Sequence, residues 1–113
     1  MDPSPIDQAT FTELQDTAGA DFVSELVDTF LEEAPLLLGE LDAARAAGDA
    51  ATFQRTAHSL KSNANTFGAF AFGLMARDLE LGGLSRAPDA AALQGLRDAY
   101  AQVAAALKGL QHG

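Results

Sequence analysis

His58 is the residue whose type and position most clearly suggest chemistry in this sequence. The chain contains two histidines and no cysteine, and the other histidine, His112, is the penultimate residue, where we expect a solvated tail. An imidazole with an unperturbed pKa near 6.5 is largely neutral at physiological pH, so it can act as a nucleophile. Lys61 follows one helical turn later and can neutralise an anion beside the ring. The pair therefore predicts a site that accepts phosphate.

The residues around His58 predict that its side chain lies outside the core. Apolar residues recur at steps of four, three, four and three, as on the buried stripe of a helix: Phe53, Ala57, Leu60, Ala64 and Phe67. At about 100° per residue, His58 falls roughly 140° from the centre of this stripe. Its sector holds polar residues: Gln54, Lys61, Ser62 and Asn65.

The rest of the sequence predicts an all-α fold, because Ala and Leu dominate its apolar residues and apolar stripes recur with helical spacing. We expect an up-down antiparallel four-helix bundle with a short additional N-terminal helix, formed by one domain over residues 1–113. Pro35 lies inside the second helix, where it predicts a kink or a split. The expected helices span about 7–18, 21–47, 49–67, 69–81 and 89–108.

Composition excludes several classes of function. The net charge is −9, and the first 44 residues contain eleven acids and no Lys or Arg, which disfavours nucleic acid and anionic membranes as partners. No apolar run is long enough to cross a bilayer, and no signal peptide precedes the domain. The absence of cysteine and of helix-spaced histidines leaves no metal site. These features suit a cytoplasmic protein, and the internal use of the apolar stripes favours a monomer.

The residues after His58 carry a specific resemblance. The stretch from Ala57 to Gly68, AHSLKSNANTFG, resembles the signature of the histidine-containing phosphotransfer (HPt) domain family: His, any residue, Leu, Lys, and Gly ten positions after the His. The preceding FLEEAP and the Gly48-Asp49 pair also resemble the long second helix of that family and its exit turn. The likeness is detailed over about residues 20–83.

The resemblance implies roles for individual residues. His58 would be the phosphoacceptor, through Nε2, and Lys61 would contact the phosphate. Gly68 would allow tight packing and a turn at the end of the active helix. Glu80, twenty-two positions after His58, would hydrogen-bond the other ring nitrogen and orient the imidazole. Ser62 departs from the family, since many members have Gly there, and it enlarges the surface that a partner must approach.

The resemblance also implies the function: reversible acceptance of a phosphoryl group from the aspartate of a response-regulator receiver domain, and its transfer to another receiver. A hybrid sensor histidine kinase would be the further partner. The chain itself would need no cofactor, since Mg²⁺ would be bound by the receiver. An initiating Met1 and a complete set of helices favour a free-standing protein.

Two alternatives make different predictions. A fragment of a histidine kinase would carry an acidic residue after the histidine and a proline shortly beyond it, but Ser59 follows His58 and no proline lies between Pro35 and Pro88. ATP-binding motifs are also absent, so we expect a phosphocarrier without ATP-dependent kinase activity. A helical-bundle adaptor without phosphoryl chemistry would explain every apolar stripe, but it leaves the His–Lys–Gly spacing to chance.

Overall fold

The chain folds as five α-helices in a computed structural model that describes residues 5–112, apart from the side chain of His112. The prediction of an all-α fold is confirmed, because no strand occurs within these residues. The predicted solvated side chain of His112 lies outside the described part of the chain. A 3-10 turn, Gly83–Arg86, separates the fourth helix from the fifth. The helices are α1 Gln8–Ala18, α2 Ala20–Ala47, α3 Ala50–Thr66, α4 Phe70–Gly82 and α5 Ala90–His112.

Three aspartates fix the starts of helices α1, α3 and α5. The carboxylates of Asp7, Asp49 and Asp89 each accept a hydrogen bond from the backbone N–H three residues later. Such a bond satisfies one of the donors left free in the first turn of a helix. The expected helix starts at these aspartates are therefore cap positions, with the first helical residue just beyond them. At the other end of the chain, α5 continues to His112 rather than ending near Lys108.

Helix α2 runs through Pro35 as one element of 28 residues, so the split considered for this position does not occur. A proline removes the N–H that would bond the carbonyl four residues earlier, which here is the carbonyl of Leu31. The hydroxyl of Tyr100, on α5, donates a hydrogen bond to that carbonyl oxygen at 3.4 Å. The long helix is thus supported at its proline by a side chain from another helix, and burial raises the pKa of Tyr100.

One continuous apolar core joins all five helices. Helix α3 packs most extensively on α4 and then on α2, so the helix that carries His58 has neighbours on two sides. Aromatic rings pack against one another in the core: the ring centroids of Phe30 and Phe67 lie 5.5 Å apart, and those of Phe30 and Tyr100 lie 5.9 Å apart. Within residues 5–112, no helix combines the length and the apolar character needed to cross a membrane.

The bond between Tyr100 and Leu31 gives a prediction about stability. We expect Tyr100→Phe to lower the free energy of unfolding by about 0.5–1.5 kcal/mol, the usual net contribution of one hydrogen bond. In a Pro35→Ala background the restored N–H would bond the Leu31 carbonyl, so the same substitution should cost less than half as much. Urea unfolding of the four proteins measures this. An equal loss in both backgrounds would show that the hydroxyl does not replace the missing donor.

Candidate functional site

His58 lies on the exposed face of α3, with 56% of its side chain accessible to solvent. The residues of the predicted apolar stripe on the same helix are buried: Phe53, Ala57, Leu60 and Ala64. The periodicity of the segment therefore placed the imidazole on the correct side of the helix. An accessible ring is a requirement for any chemistry that passes a group between two proteins, because the partner's reactive atom must reach the ring nitrogen.

The carboxylate of Glu80, on α4, holds one of the two nitrogens of the His58 ring. The Nδ1 atom of His58 lies 2.9 Å from Glu80 Oε2. An ionised carboxylate only accepts hydrogen bonds, so this contact requires the proton of a neutral ring to be on Nδ1. The Nε2 atom has no hydrogen-bond partner among the described residues. Its lone pair is not taken up by any of these residues, so it is available to attack an electrophile.

Lys61 binds the other oxygen of the same carboxylate. Its Nζ atom lies 2.9 Å from Glu80 Oε1, and both side chains are largely screened from solvent. The contact with Lys61 lowers the pKa of the Glu80 carboxyl below its usual value; burial acts in the opposite direction, and the contact with His58 lowers the pKa further. Glu80 is therefore ionised at neutral pH. Lys61 is thus paired with Glu80 rather than pointing freely into solvent.

Gln54 contributes a contact that the sequence did not suggest. It precedes His58 by one helical turn, and its Nε2 atom donates a hydrogen bond to the backbone carbonyl of Glu80 at 3.5 Å. The same amide nitrogen lies 2.9 Å from the place where a Cβ on Gly83 would stand. Gln54 thus connects α3 to the end of α4 beside the site. Its place in the polar sector of His58 was the available signal, but its partner on α4 was not readable.

Gly73 allows α3 and α4 to approach closely and was also missed. It is buried, and a Cβ at this position would stand 2.1 Å from Asn65 Oδ1. Any side chain here would push Asn65 aside or separate the two helices that carry His58 and Glu80. A glycine inside the helical run from Phe70 to Leu81 was the signal that could have identified this contact, since glycine weakens a helix interior and needs a reason.

Gly68 lies at the turn after α3, in the left-handed region with φ +85°. A Cβ there would stand 2.9 Å from the backbone oxygen of Asp7, and the N–H of Asp7 donates to the Gly68 carbonyl at 2.9 Å. The close approach that Gly68 permits is therefore to the start of α1. Ser62 is exposed one turn beyond His58, and its hydroxyl makes no hydrogen bond with the described residues.

Gly68 gives a prediction about folding of the site. We expect Gly68→Ala to lower the free energy of unfolding by about 1–3 kcal/mol, because alanine is strained at this φ and its Cβ meets backbone. Gly39 is the matched control: it is exposed inside α2 and a Cβ there would meet nothing within 4 Å. Gly39→Ala should stabilise the protein by about 0.5–1 kcal/mol. Urea titrations measure both, and a neutral Gly68→Ala would contradict the packing described.

The pair of contacts on Glu80 predicts a pH dependence. Because the folded pKa of Glu80 lies below its unfolded value, the stabilisation is fully present above the usual glutamate pKa and is lost as the pH falls through the folded value. Wild type should therefore lose more unfolding free energy than Glu80→Gln between pH 6 and pH 3. Glu13→Gln, at an exposed acid without a partner among the described residues, is the control and should track wild type. Identical pH profiles for all three proteins would contradict the lowered pKa.

The described residues hold no cluster of three or more His, Cys, Asp or Glu side chains that could bind a metal ion. The site instead consists of one accessible ring nitrogen, a carboxylate that holds the other nitrogen, and an ammonium group on that carboxylate. Such a group of side chains can accept a phosphoryl group.

Comparison with known proteins identifies the family. The Hpt domain family matches residues 25–106, well over half of the chain. The crystal structure of histidine-containing phosphotransfer protein B from Pseudomonas aeruginosa PAO1 is similar, with a TM-score of 0.87 and 29% sequence identity over 98% of this chain and 97% of that one. No curated protein matches the sequence. The chain belongs to the Hpt domain family, whose members carry out histidine phosphotransfer in phosphorelays.

Proposed function

We propose that His58 is the phosphoacceptor through which this chain takes part in the phosphorelay. The observation that carries the proposal is that the two ring nitrogens have different surroundings. Nδ1 lies 2.9 Å from the Glu80 carboxylate, whereas Nε2 has no partner among the described residues and belongs to an exposed ring. This arrangement fixes the tautomer of the neutral ring and presents its Nε2 lone pair to a partner. An adaptor would have no need for a ring held in this way.

The transfer step follows from the same geometry. The Nε2 lone pair of His58 attacks the phosphorus of an aspartyl phosphate on a receiver domain. The N–P bond forms while the O–P bond breaks, and its electron pair returns to the aspartate as a carboxylate. The ring becomes a cation that keeps its Nδ1 proton, and Glu80 stabilises that cation. Lys61 offsets the charge of the phosphoryl oxygens, and the reverse reaction passes the group to a second receiver.

The two remaining residues of the motif act by position. Gly68 fixes the turn that ends the active helix, and Ser62 leaves a surface over which a receiver can approach. We assign these roles from the close contact of Gly68 with α1 and from the exposure of Ser62 next to the ring.

The partners we propose are receiver domains of response regulators and a hybrid sensor histidine kinase. Mg²⁺ belongs to the receiver, and this chain needs no cofactor of its own. We further propose a cytoplasmic, monomeric protein whose residues 1–113 form one HPt domain, with α2 to α5 arranged as an up-down antiparallel bundle and α1 as the additional helix. The continuous core and the short connections between α2, α3 and α4 support this arrangement.

The function is tested by transfer from labelled receivers. Receiver domains from the same organism, phosphorylated with radioactive acetyl phosphate, should pass an acid-labile, base-stable label to wild type and not to His58→Gln. His112→Gln removes the other histidine and should accept the label like wild type. ATP alone should give no label. Label that persists in His58→Gln, or no transfer from any receiver of that organism, would contradict the proposal and favour an adaptor.

A further inference from the structure

One carboxylate serves both functional side chains of the site. Glu80 Oε2 lies 2.9 Å from His58 Nδ1, and Glu80 Oε1 lies 2.9 Å from Lys61 Nζ. The Oε1 atom is sealed from solvent and accepts no hydrogen bond from the described residues; the ion pair with Lys61 is its one charged contact among them. If Lys61 left, a buried anionic oxygen would remain without a compensating charge, and such a loss is costly in a protein.

Phosphorylation of His58 brings a second anion to the same cation. A phosphoryl group carries between one and two negative charges near pH 7, on three strongly accepting oxygens. Lys61 follows His58 by one helical turn, so it is the cation placed to reach these oxygens. Lys61 cannot fully neutralise both the phosphoryl group and Glu80 Oε1, because the attraction between its ammonium group and either anion is strongest at short distance and out of water.

We propose that Glu80 competes with the phosphoryl group for Lys61 and thereby lowers the equilibrium constant for phosphorylation of His58. This inference rests on the proposed function of His58. Glu80 then has two opposite effects: Oε2 stabilises the charged, phosphorylated ring, whereas Oε1 withholds the cation that the phosphoryl oxygens need. The balance keeps the phosphohistidine easy to discharge, which suits a carrier that must give up the group it accepts.

A double-mutant cycle separates the two effects, because it compares the contribution of Lys61 to the equilibrium constant for phosphorylation with and without the Glu80 carboxylate. The four proteins are wild type, Lys61→Met, Glu80→Gln and the double variant. Each is equilibrated with potassium phosphoramidate at a fixed excess of ammonium, so that His58 Nε2 displaces ammonia from phosphorus in a reversible reaction. The phosphorylated fraction of His58 is read from the ³¹P NMR signal of phosphohistidine that is absent from His58→Gln, because His112 can also react. This donor needs no partner protein.

We expect Lys61→Met to lower the equilibrium constant by less than about threefold in the presence of Glu80, and by about tenfold or more in the Glu80→Gln background. Equal effects in the two backgrounds would overturn the proposal. So would a larger effect in the presence of Glu80, since it would mean that the carboxylate positions Lys61 for the phosphate instead of withholding it.

Two controls keep this result distinct from other failures. Arg77→Met removes an exposed cation from α4 and should have the same small effect in both backgrounds, which excludes a general change in charge. Circular dichroism melts confirm that each variant is folded. If wild type gains no phosphohistidine signal, or if His58→Gln gains the same signal, the proposed function itself fails. If the signal depends on His58 but the cycle shows no coupling, only the competition fails.

Discussion

The contact between the Glu80 carboxylate and Nδ1 of His58 is the interaction on which the site depends. It joins two helices whose functional residues are twenty-two positions apart in the sequence, and it decides which ring nitrogen keeps the proton. The distance of 2.9 Å reflects the extensive packing of α3 on α4, and Gly73 leaves room for the exposed side chain of Asn65 between these helices. The hydrogen bond from Gln54 to the Glu80 backbone carbonyl is a further contact between α3 and the end of α4.

An exposed histidine and a screened carboxylate oxygen have opposite requirements, and the structure satisfies both. The ring must stand in solvent for a partner to reach it, so it cannot be held by burial. Glu80 holds the ring through the contact of its Oε2 atom with Nδ1. The ion pair with Lys61 stabilises the negative charge of the same carboxylate, whose Oε1 atom is screened from solvent. The remaining helices supply rigidity: the core fixes α3 against α2 and α4, and the Asp7 and Gly68 backbones connect the end of α3 to α1.

Sequence reasoning was most accurate where one helix decides the outcome. The exposure of His58 follows from the period of its own helix, and the aspartates at helix starts follow from the chemistry of capping. The contacts of Glu80 depend on the register between α3 and α4, which periodicity does not fix; only the family resemblance placed Glu80 near the ring. The pairing of Lys61 with Glu80, the bond of Gln54 and the clearance at Gly73 all depend on that register.

The support that α2 receives at Pro35 was beyond sequence reasoning for a similar reason. A proline inside a helical apolar pattern predicts a kink or a split, and the choice between them depends on whether a group from elsewhere satisfies the freed carbonyl. Here the hydroxyl of Tyr100, sixty-nine positions from Leu31, lies where it can do so. Helix α5 continues beyond Lys108, the end that its apolar stripe predicted, to His112, and the side chain of Gln111 in this last turn donates hydrogen bonds to Ser24 and Asp28 on α2.

The central claim is that Glu80 reserves Nδ1 of His58 for a proton and leaves Nε2 for the phosphoryl group. Long-range ¹H–¹⁵N NMR of the protein with labelled histidine reports the tautomer of the neutral ring, and ¹⁵N–³¹P coupling after treatment with phosphoramidate reports the phosphorylated atom. We expect a proton on Nδ1 before the reaction and phosphorus on Nε2 after it. A proton on Nε2 in the neutral ring, or phosphorus on Nδ1, would contradict it.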